Sequence, residues 1–173
     1  MKPGQARTAW LTGLPCAGKS TLARALEQMF ARDGRLVRVL DGDIMREGLC
    51  KDLRFSPAER SENIRRVAEV ARLFNDTGIC VVTALISPMI ADREMARAII
   101  GPERFLEIYL NPTLEVCERR DTKGMYARAR RGEISAFTGV SAPYEVPLAP
   151  HCVIDTDRKS IAQAADAIYA CLI

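Results

Sequence analysis

The chain has 173 residues, 48% hydrophobic and 27% charged, with a net charge of +3 from 25 basic and 22 acidic side chains. That length predicts one domain spanning 1–173, and so even a charge balance, with 6% aromatic residues, excludes nucleic-acid binding by bulk electrostatics. Six cysteines, Cys16, Cys50, Cys80, Cys117, Cys152 and Cys171, form no CxxC pair and have only His151 for company, so zinc-site spacing is absent. They read as reduced thiols of a cytoplasmic protein. No secretory leader and no membrane-length apolar run is recognised, so no membrane partner is expected.

Short apolar runs alternate with helical patterns, the signature of a parallel α/β sheet. Ala6–Thr12 predicts the first strand, and Gly18–Asp33 a helix with Leu22, Leu26, Met29 and Phe30 on one face. Leu36–Leu40 predicts a second strand, closed by Asp41-Gly42-Asp43. Ser56-Pro57-Ala58-Glu59 is a helix start: Ser56 caps, Pro57 occupies the first turn, and Glu59 completes a capping box. That helix runs to about Asp76, with Ile64, Val67, Ala71 and Phe74 toward the core and Gly78 ending it. Ile79–Leu85 is nearly all apolar, as in a strand covered on both faces. A helix near Asp92–Ile100, a strand over Arg104–Leu110, a short strand at Val153–Asp155 and a helix over Ile161–Leu172 follow. Asp121–Pro150 fits no βα unit; it is basic in its first half and rich in Gly and Pro in its second, and long irregular segments of this kind often serve as lids.

Gly13-Leu14-Pro15-Cys16-Ala17-Gly18-Lys19-Ser20 matches GxxxxGK[ST] between a predicted strand and a predicted helix, the context that motif requires. Together with Thr21 these residues form the candidate nucleotide cradle. Glycines let backbone N–H groups converge on phosphate oxygens, and the helix adds its positive end. Lys19 supplies a cation to the β and γ phosphates, and the Ser20 hydroxyl can ligate Mg²⁺. The loop predicts nucleotide binding and leaves kinase, GTPase, motor and switch open.

Asp41 and Asp43 close the second strand and belong at the carboxyl edge, where ligands of open parallel sheets bind. They point the same way if the strand persists, and either can take a proton from an acceptor hydroxyl or hold a Mg²⁺-bound water. The plainer reading is a polar turn with Asp43 as N-cap. Arg46 can pair with an anionic substrate. Arg60 and Asn63 share a helix face, whereas Arg65 and Arg66 read as solvated.

The phosphate loop, Asp41-Gly42-Asp43-Ile44-Met45-Arg46, Phe55-Ser56-Pro57 with Arg60 and Asn63-Ile64-Arg65-Arg66, Ile86-Ser87-Pro88, Asp121-Thr122-Lys123-Gly124-Met125-Tyr126, Gly132-Glu133-Ile134, Phe137-Thr138-Gly139 and Tyr144-Glu145 occur in this order. Along nearly its whole length the chain resembles adenylyl-sulfate kinases. The resemblance implies transfer of the γ-phosphoryl group of ATP to the 3′-hydroxyl of adenylyl sulfate, with Mg²⁺. It also implies a nucleoside-kinase-like P-loop fold, a parallel sheet flanked by helices on both faces. It places a substrate pocket on Asp43, Arg46, Phe55, Arg60, Asn63, Ile86, Ser87, Lys123 and Phe137. Lys19, Asp43 and Ser87 are the implied catalytic residues; the family's serine at this place is described as a phosphorylated intermediate, while direct in-line transfer fits P-loop chemistry better. Phe55 and Phe137 offer faces for the acceptor adenine, Arg46, Arg60 and Asn63 a hold on its phosphosulfate, and Lys123 a cation in the lid. A homodimer and functional coupling to ATP sulfurylase are the implied protein partners.

Pro15-Cys16 departs from the family's usual Ser-Gly, Glu59 replaces a common Asp and Met125 a common Leu. Pro15 has no N–H to offer phosphate, and Cys16 must adopt whatever backbone the usual glycine adopts. Three other readings stand beside this one: a kinase of another small acceptor; a nucleotide-binding module without catalysis, which retention of Lys19, Ser20, Asp43 and Lys123 disfavours; and a GTPase, disfavoured because no NKxD motif is present.

Overall fold

The computed structural model describes residues 6–173. Five parallel strands stand in the order β2-β3-β1-β4-β5, formed by β1 (Thr8–Thr12), β2 (Val37–Asp41), β3 (Cys80–Ala84), β4 (Phe105–Leu110) and β5 (Cys152–Ile154). The three central strands carry near-continuous apolar runs because both their faces are covered. In β1 the alternation of side chains divides one strand between two cores. Ala9 and Leu11 join Leu22, Leu26 and Phe30 of α1 (Lys19–Arg32) and Ala165 and Ile168 of α7 (Ile161–Leu172). Trp10 joins Ile64, Val67 and Ala71 of α3 (Pro57–Asp76) and Ala96 and Ile100 of α4 (Ile90–Ile100).

Helix α3 begins as its sequence requires. The Ser56 side chain accepts from the Glu59 amide, Glu59 Oε2 accepts from the Ser56 amide at 3.1 Å, and Pro57 occupies the first turn. An equivalent box of Ser160 and Gln163, not singled out in the sequence, starts α7. The helix that Asp43 was expected to cap is present as α2 (Gly42–Glu47), while two further six-residue helices, α5 (Leu114–Arg119) and α6 (Met125–Arg130), were not expected from the sequence. The first strand begins at Thr8 rather than Ala6, and the last covers Cys152–Ile154 rather than Val153–Asp155.

Helix α1, which leaves β1, lies on one face of the sheet, and α4, which follows β3, lies on the other. The neighbouring carboxyl ends of β1 and β3 are therefore a topological switch point, where a crevice opens. In register, Leu11 and Asp41 both face Ala84, so the loops after β1, β2 and β3 emerge at one level. Among the described residues no helix is long and apolar enough to cross a membrane.

Candidate active site

The loop after β1 is shaped by its backbone. Gly13 sits at φ 150°, where an added Cβ would lie 2.6 Å from the Leu110 carbonyl oxygen, so no larger residue fits. Cys16 takes φ 61°, the left-handed conformation that glycine adopts most readily. Burial and the Asp121 carboxylate push its thiol up, keeping it protonated at neutral pH. Pro15, which cannot donate an N–H, instead accepts through its carbonyl from the Tyr126 hydroxyl at 2.9 Å. The loop is thus tied to α6.

Lys19 opens α1 and is 8% exposed. Its ammonium donates to the carbonyls of Gly13 (2.8 Å) and Leu14 (2.7 Å), closing the loop on itself. Burial pulls this ammonium down to about 8; a triphosphate arriving in the loop would strengthen the preference for the charged form.

Beside it the Ser20 hydroxyl donates to Asp41 Oδ2 at 2.6 Å. Strand β2 stops at Asp41, whose other oxygen accepts from the Asp43 amide at 3.0 Å and caps α2. The two aspartates therefore do not point the same way, and the N-cap is Asp41 rather than Asp43. Asp41 faces Ser20, while the Asp43 carboxylate, 83% exposed, meets Lys123 Nζ of the lid segment at 3.5 Å. An Asp and a Ser hydroxyl side by side at the phosphate loop are the hard oxygen donors that suit Mg²⁺. The Asp-x-Asp pattern at a strand end was the available signal for Asp41.

On the other side of the crevice, Phe55 is 61% exposed. The guanidinium carbons of Arg46 and Arg60 stand 4.5 and 5.6 Å from its ring centroid. Arg46 donates to the carbonyls of Leu53 (3.2 Å) and Arg54 (2.8 Å); Arg60 donates to those of Phe55 (2.9 Å) and Ala136 (2.8 Å). Every one of these partners is neutral, so two positive charges share one aromatic ring with no carboxylate between them. Burial and then the Arg46 charge lower Arg60. Arg65 and Arg66 behave differently: they pair with Glu62, and Arg66 also with Asp52. Hydrogen bonds from Arg65 and then Arg66 hold the Glu62 carboxyl at about 2.

Asn63 is buried on α3, and its Oδ1 finds no partner among the described residues. Ile86 offers its carbonyl to Thr12 Oγ1 at 2.7 Å. Ser87 is buried at φ 44°, its hydroxyl accepting from the Trp10 indole at 3.0 Å. Phe137 does not present an open face: it is 9% exposed and packs edge-on against Tyr126, centroids 4.9 Å apart, within the first core. The stretch Asp121–Pro150 is likewise less irregular than expected, since α6 lies inside it and Tyr126 and Phe137 anchor it inward.

The adenylylsulphate kinase family model matches residues 5–155. An adenylyl-sulfate kinase of Prochlorococcus marinus is 52% identical over 95% of this chain and 82% of its own. One from Paraburkholderia xenovorans is 50% identical over 100% of this chain and 96% of its own. The solved Mycobacterium tuberculosis APS kinase CysC, in complex with AMPPNP and APS, superposes with a TM-score of 0.94 at 41% identity, covering 98% of this chain and 99% of that one. With the loop, the switch-point crevice and these matches in agreement, the chain belongs to the adenylyl-sulfate kinase family, enzymes that move the γ-phosphoryl group of ATP to the 3′-hydroxyl of adenylyl sulfate.

Proposed function

We propose that this chain performs that transfer directly, in line, between two nucleotides bound on either side of the crevice. The observation that carries the acceptor assignment is the unneutralised pair Arg46 and Arg60 over Phe55. A flat base can stack on the exposed ring while a phosphosulfate neutralises the two cations. ATP lies along Gly13–Thr21, with Lys19 turning from its loop carbonyls to the β and γ phosphates. Ser20 and Asp41 would hold Mg²⁺, which would neutralise phosphate charge there. Asp43 takes the proton of the attacking hydroxyl, and Lys123, its partner across the crevice, follows the charge toward the transferring group. Asn63 Oδ1, buried and unpartnered, can accept from an acceptor hydroxyl. Ile86 and Ser87 shape the floor of the pocket. The Ser87 hydroxyl is engaged with Trp10 and faces away from solvent, which favours direct transfer over a phosphoserine.

The decisive assay is ADP release with and without adenylyl sulfate. Release that depends on the acceptor, with 3′-phosphoadenylyl sulfate as product, is the expected result; equal release without it would sink the reading. Ser87→Ala should keep measurable turnover, and ATP alone should leave no phosphate on the chain. Stoichiometric, kinetically competent label on Ser87 would replace direct transfer by a two-step route. We further infer that the chain works in the cytoplasm as one domain, pairs into a homodimer and draws its acceptor from an ATP sulfurylase. Light scattering of the purified protein tests the dimer.

A further inference from the structure

Arg93, on α4, is 2% exposed. A buried guanidinium is tolerated only when its donors are met, and this one divides them among three separate segments. Nε donates to Glu107 Oε1 on β4 at 2.6 Å, Nη1 to the Ser87 carbonyl at 2.7 Å, and Nη2 to the Glu145 carbonyl at 2.8 Å. The Tyr144 ring lies 5.8 Å from its central carbon and stacks on Tyr109, centroids 5.9 Å apart.

The Tyr144 hydroxyl continues the connection, 2.9 Å from Thr12 Oγ1. Thr12 has a single hydroxyl proton and places it on the Ile86 carbonyl at 2.7 Å. Tyr144 must therefore be the donor to Thr12, and the order runs Tyr144 to Thr12 to Ile86. Glu145 adds two further bonds: its amide donates to the Pro88 carbonyl at 2.8 Å and its Oε2 accepts from the Ile90 amide at 2.6 Å. The segment by which the chain leaves the lid is thus fastened to Ile86–Ile90 by backbone, carboxylate, guanidinium and phenol together. Ser87 needs such fastening. A residue with a Cβ at φ 44° is strained, and strain of this kind persists only where the surroundings over-determine it.

We propose that Arg93 and Tyr144 are positioning residues for the acceptor: a clasp that fixes the Ile86–Ser87 backbone and joins it to the exit of the lid, so that both hold or loosen as one. The proposal rests on the kinase reading above, in which Ile86 and Ser87 floor the acceptor pocket. The Tyr144 hydroxyl reaches only Thr12, the residue before the phosphate loop, and Thr12 keeps its own bond to the Ile86 carbonyl without it, so ATP should feel the variants far less than the acceptor does.

Two variants test it. Tyr144→Phe keeps the ring and its stacking and removes one donor. Arg93→Lys keeps the charge and loses the three-way fork, which a single ammonium cannot reproduce. We expect the KM for adenylyl sulfate to rise about fivefold in Tyr144→Phe and about tenfold or more in Arg93→Lys, with the KM for ATP within about twofold of the wild type. Amide exchange should show residues 86–90 and 144–146 losing protection together in either variant, while β1 keeps its own. Equal rises in both KM values, unchanged KM values with only a lower Tm, or loss of protection in one segment without the other would each overturn the clasp. If Arg93→Lys fails to fold, Tyr144→Phe decides by the same readings. Wild-type protein lacking acceptor-dependent ADP release would mean failure of the kinase reading. Wild-type activity with no split between the KM values would mean failure of the clasp alone, and the exchange measurement decides the clasp in either event.

Discussion

The two sides of the crevice are built on different plans. The phosphate side is one continuous octapeptide whose shape is stored in backbone angles and closed by its own lysine, which donates two hydrogen bonds to loop carbonyls. The acceptor side is assembled from α2, the turn before α3, α3 itself, the loop after β3 and the lid, each giving one or two side chains. A site made of backbone is rigid before its ligand arrives; one made of side chains from five places depends on whatever holds those places together. Damage on the phosphate side should therefore remove chemistry outright, and damage on the acceptor side should mostly weaken recognition.

The largest expected effect is Lys19→Ala. In the proposed function its ammonium serves the β and γ phosphates, and loss of one preorganised electrostatic contact lowers kcat by about 10²- to 10³-fold. The fold should survive, because the two carbonyls left behind can be hydrated in the open crevice. Steady-state kinetics beside a thermal melt check both halves: near-normal turnover by a folded Lys19→Ala protein would show that ATP is bound elsewhere.

Phe137→Ala comes next and sharpens the comparison, since Phe137 belongs to the lid by sequence and to the core by packing. A Phe this buried, in edge contact with Tyr126, should cost about 3 kcal/mol of stability when truncated. Tyr126 also holds the Pro15 carbonyl, so acceptor and ATP use should both suffer. A selective rise in the KM for adenylyl sulfate at unchanged Tm would restore Phe137 to the role of an adenine platform.

Phe55→Ala is the contrasting case. The ring is exposed and its partners are two guanidinium groups, so little core packing is lost. A base stacked on the ring would contribute about 1–1.5 kcal/mol, about tenfold in affinity. The KM for adenylyl sulfate should rise about tenfold with Tm and the KM for ATP unchanged. Equal losses for both substrates would dissolve the division of the crevice into two sides.

These contrasts also separate what was legible in the sequence from what was not. The phosphate loop, the Ser56–Glu59 box and the strands of the sheet are written in contiguous residues, and each stands where the pattern placed it to within two residues. Helices α5 and α6 were invisible because six residues make less than two turns, too few to display an amphipathic period. For Asp41 and Asp43 the sequence left a persisting strand and a polar turn capped by Asp43 both open; the turn forms, but Asp41 is its cap, because its carboxylate accepts the amide two residues on, which ends a strand and starts a helix. Asp43, Arg46, Arg60 and Asn63 carried local signals of position, but these did not say that they act together, and only the family resemblance gathered the acceptor residues into one site. Arg93 carried the wrong signal: an arginine between Asp92 and Glu94 reads as a solvated helix face, and only the convergence of β4, the Ser87 loop and the lid exit turns it inward.

The smallest expected effect returns to the phosphate loop. Cys16 holds φ 61° in a loop whose remaining geometry is sound. A side chain in this region costs about 1–2 kcal/mol, which Cys16→Gly would relieve. Glycine also gives the unfolded chain more freedom, worth about 0.5–1 kcal/mol in the opposite direction. The thiol's packing against the first core removes a little more. The balance is a stabilisation of about 0.5 kcal/mol, readable as a shift in the midpoint of a denaturant titration at constant slope. The KM for ATP should stay within about twofold, because the loop already has the shape that glycine prefers. A destabilisation of 1 kcal/mol or more, on the order of a lost buried methyl group, would show that the cysteine is held by its core contacts, and the phosphate side would then depend on side-chain packing as the acceptor side does.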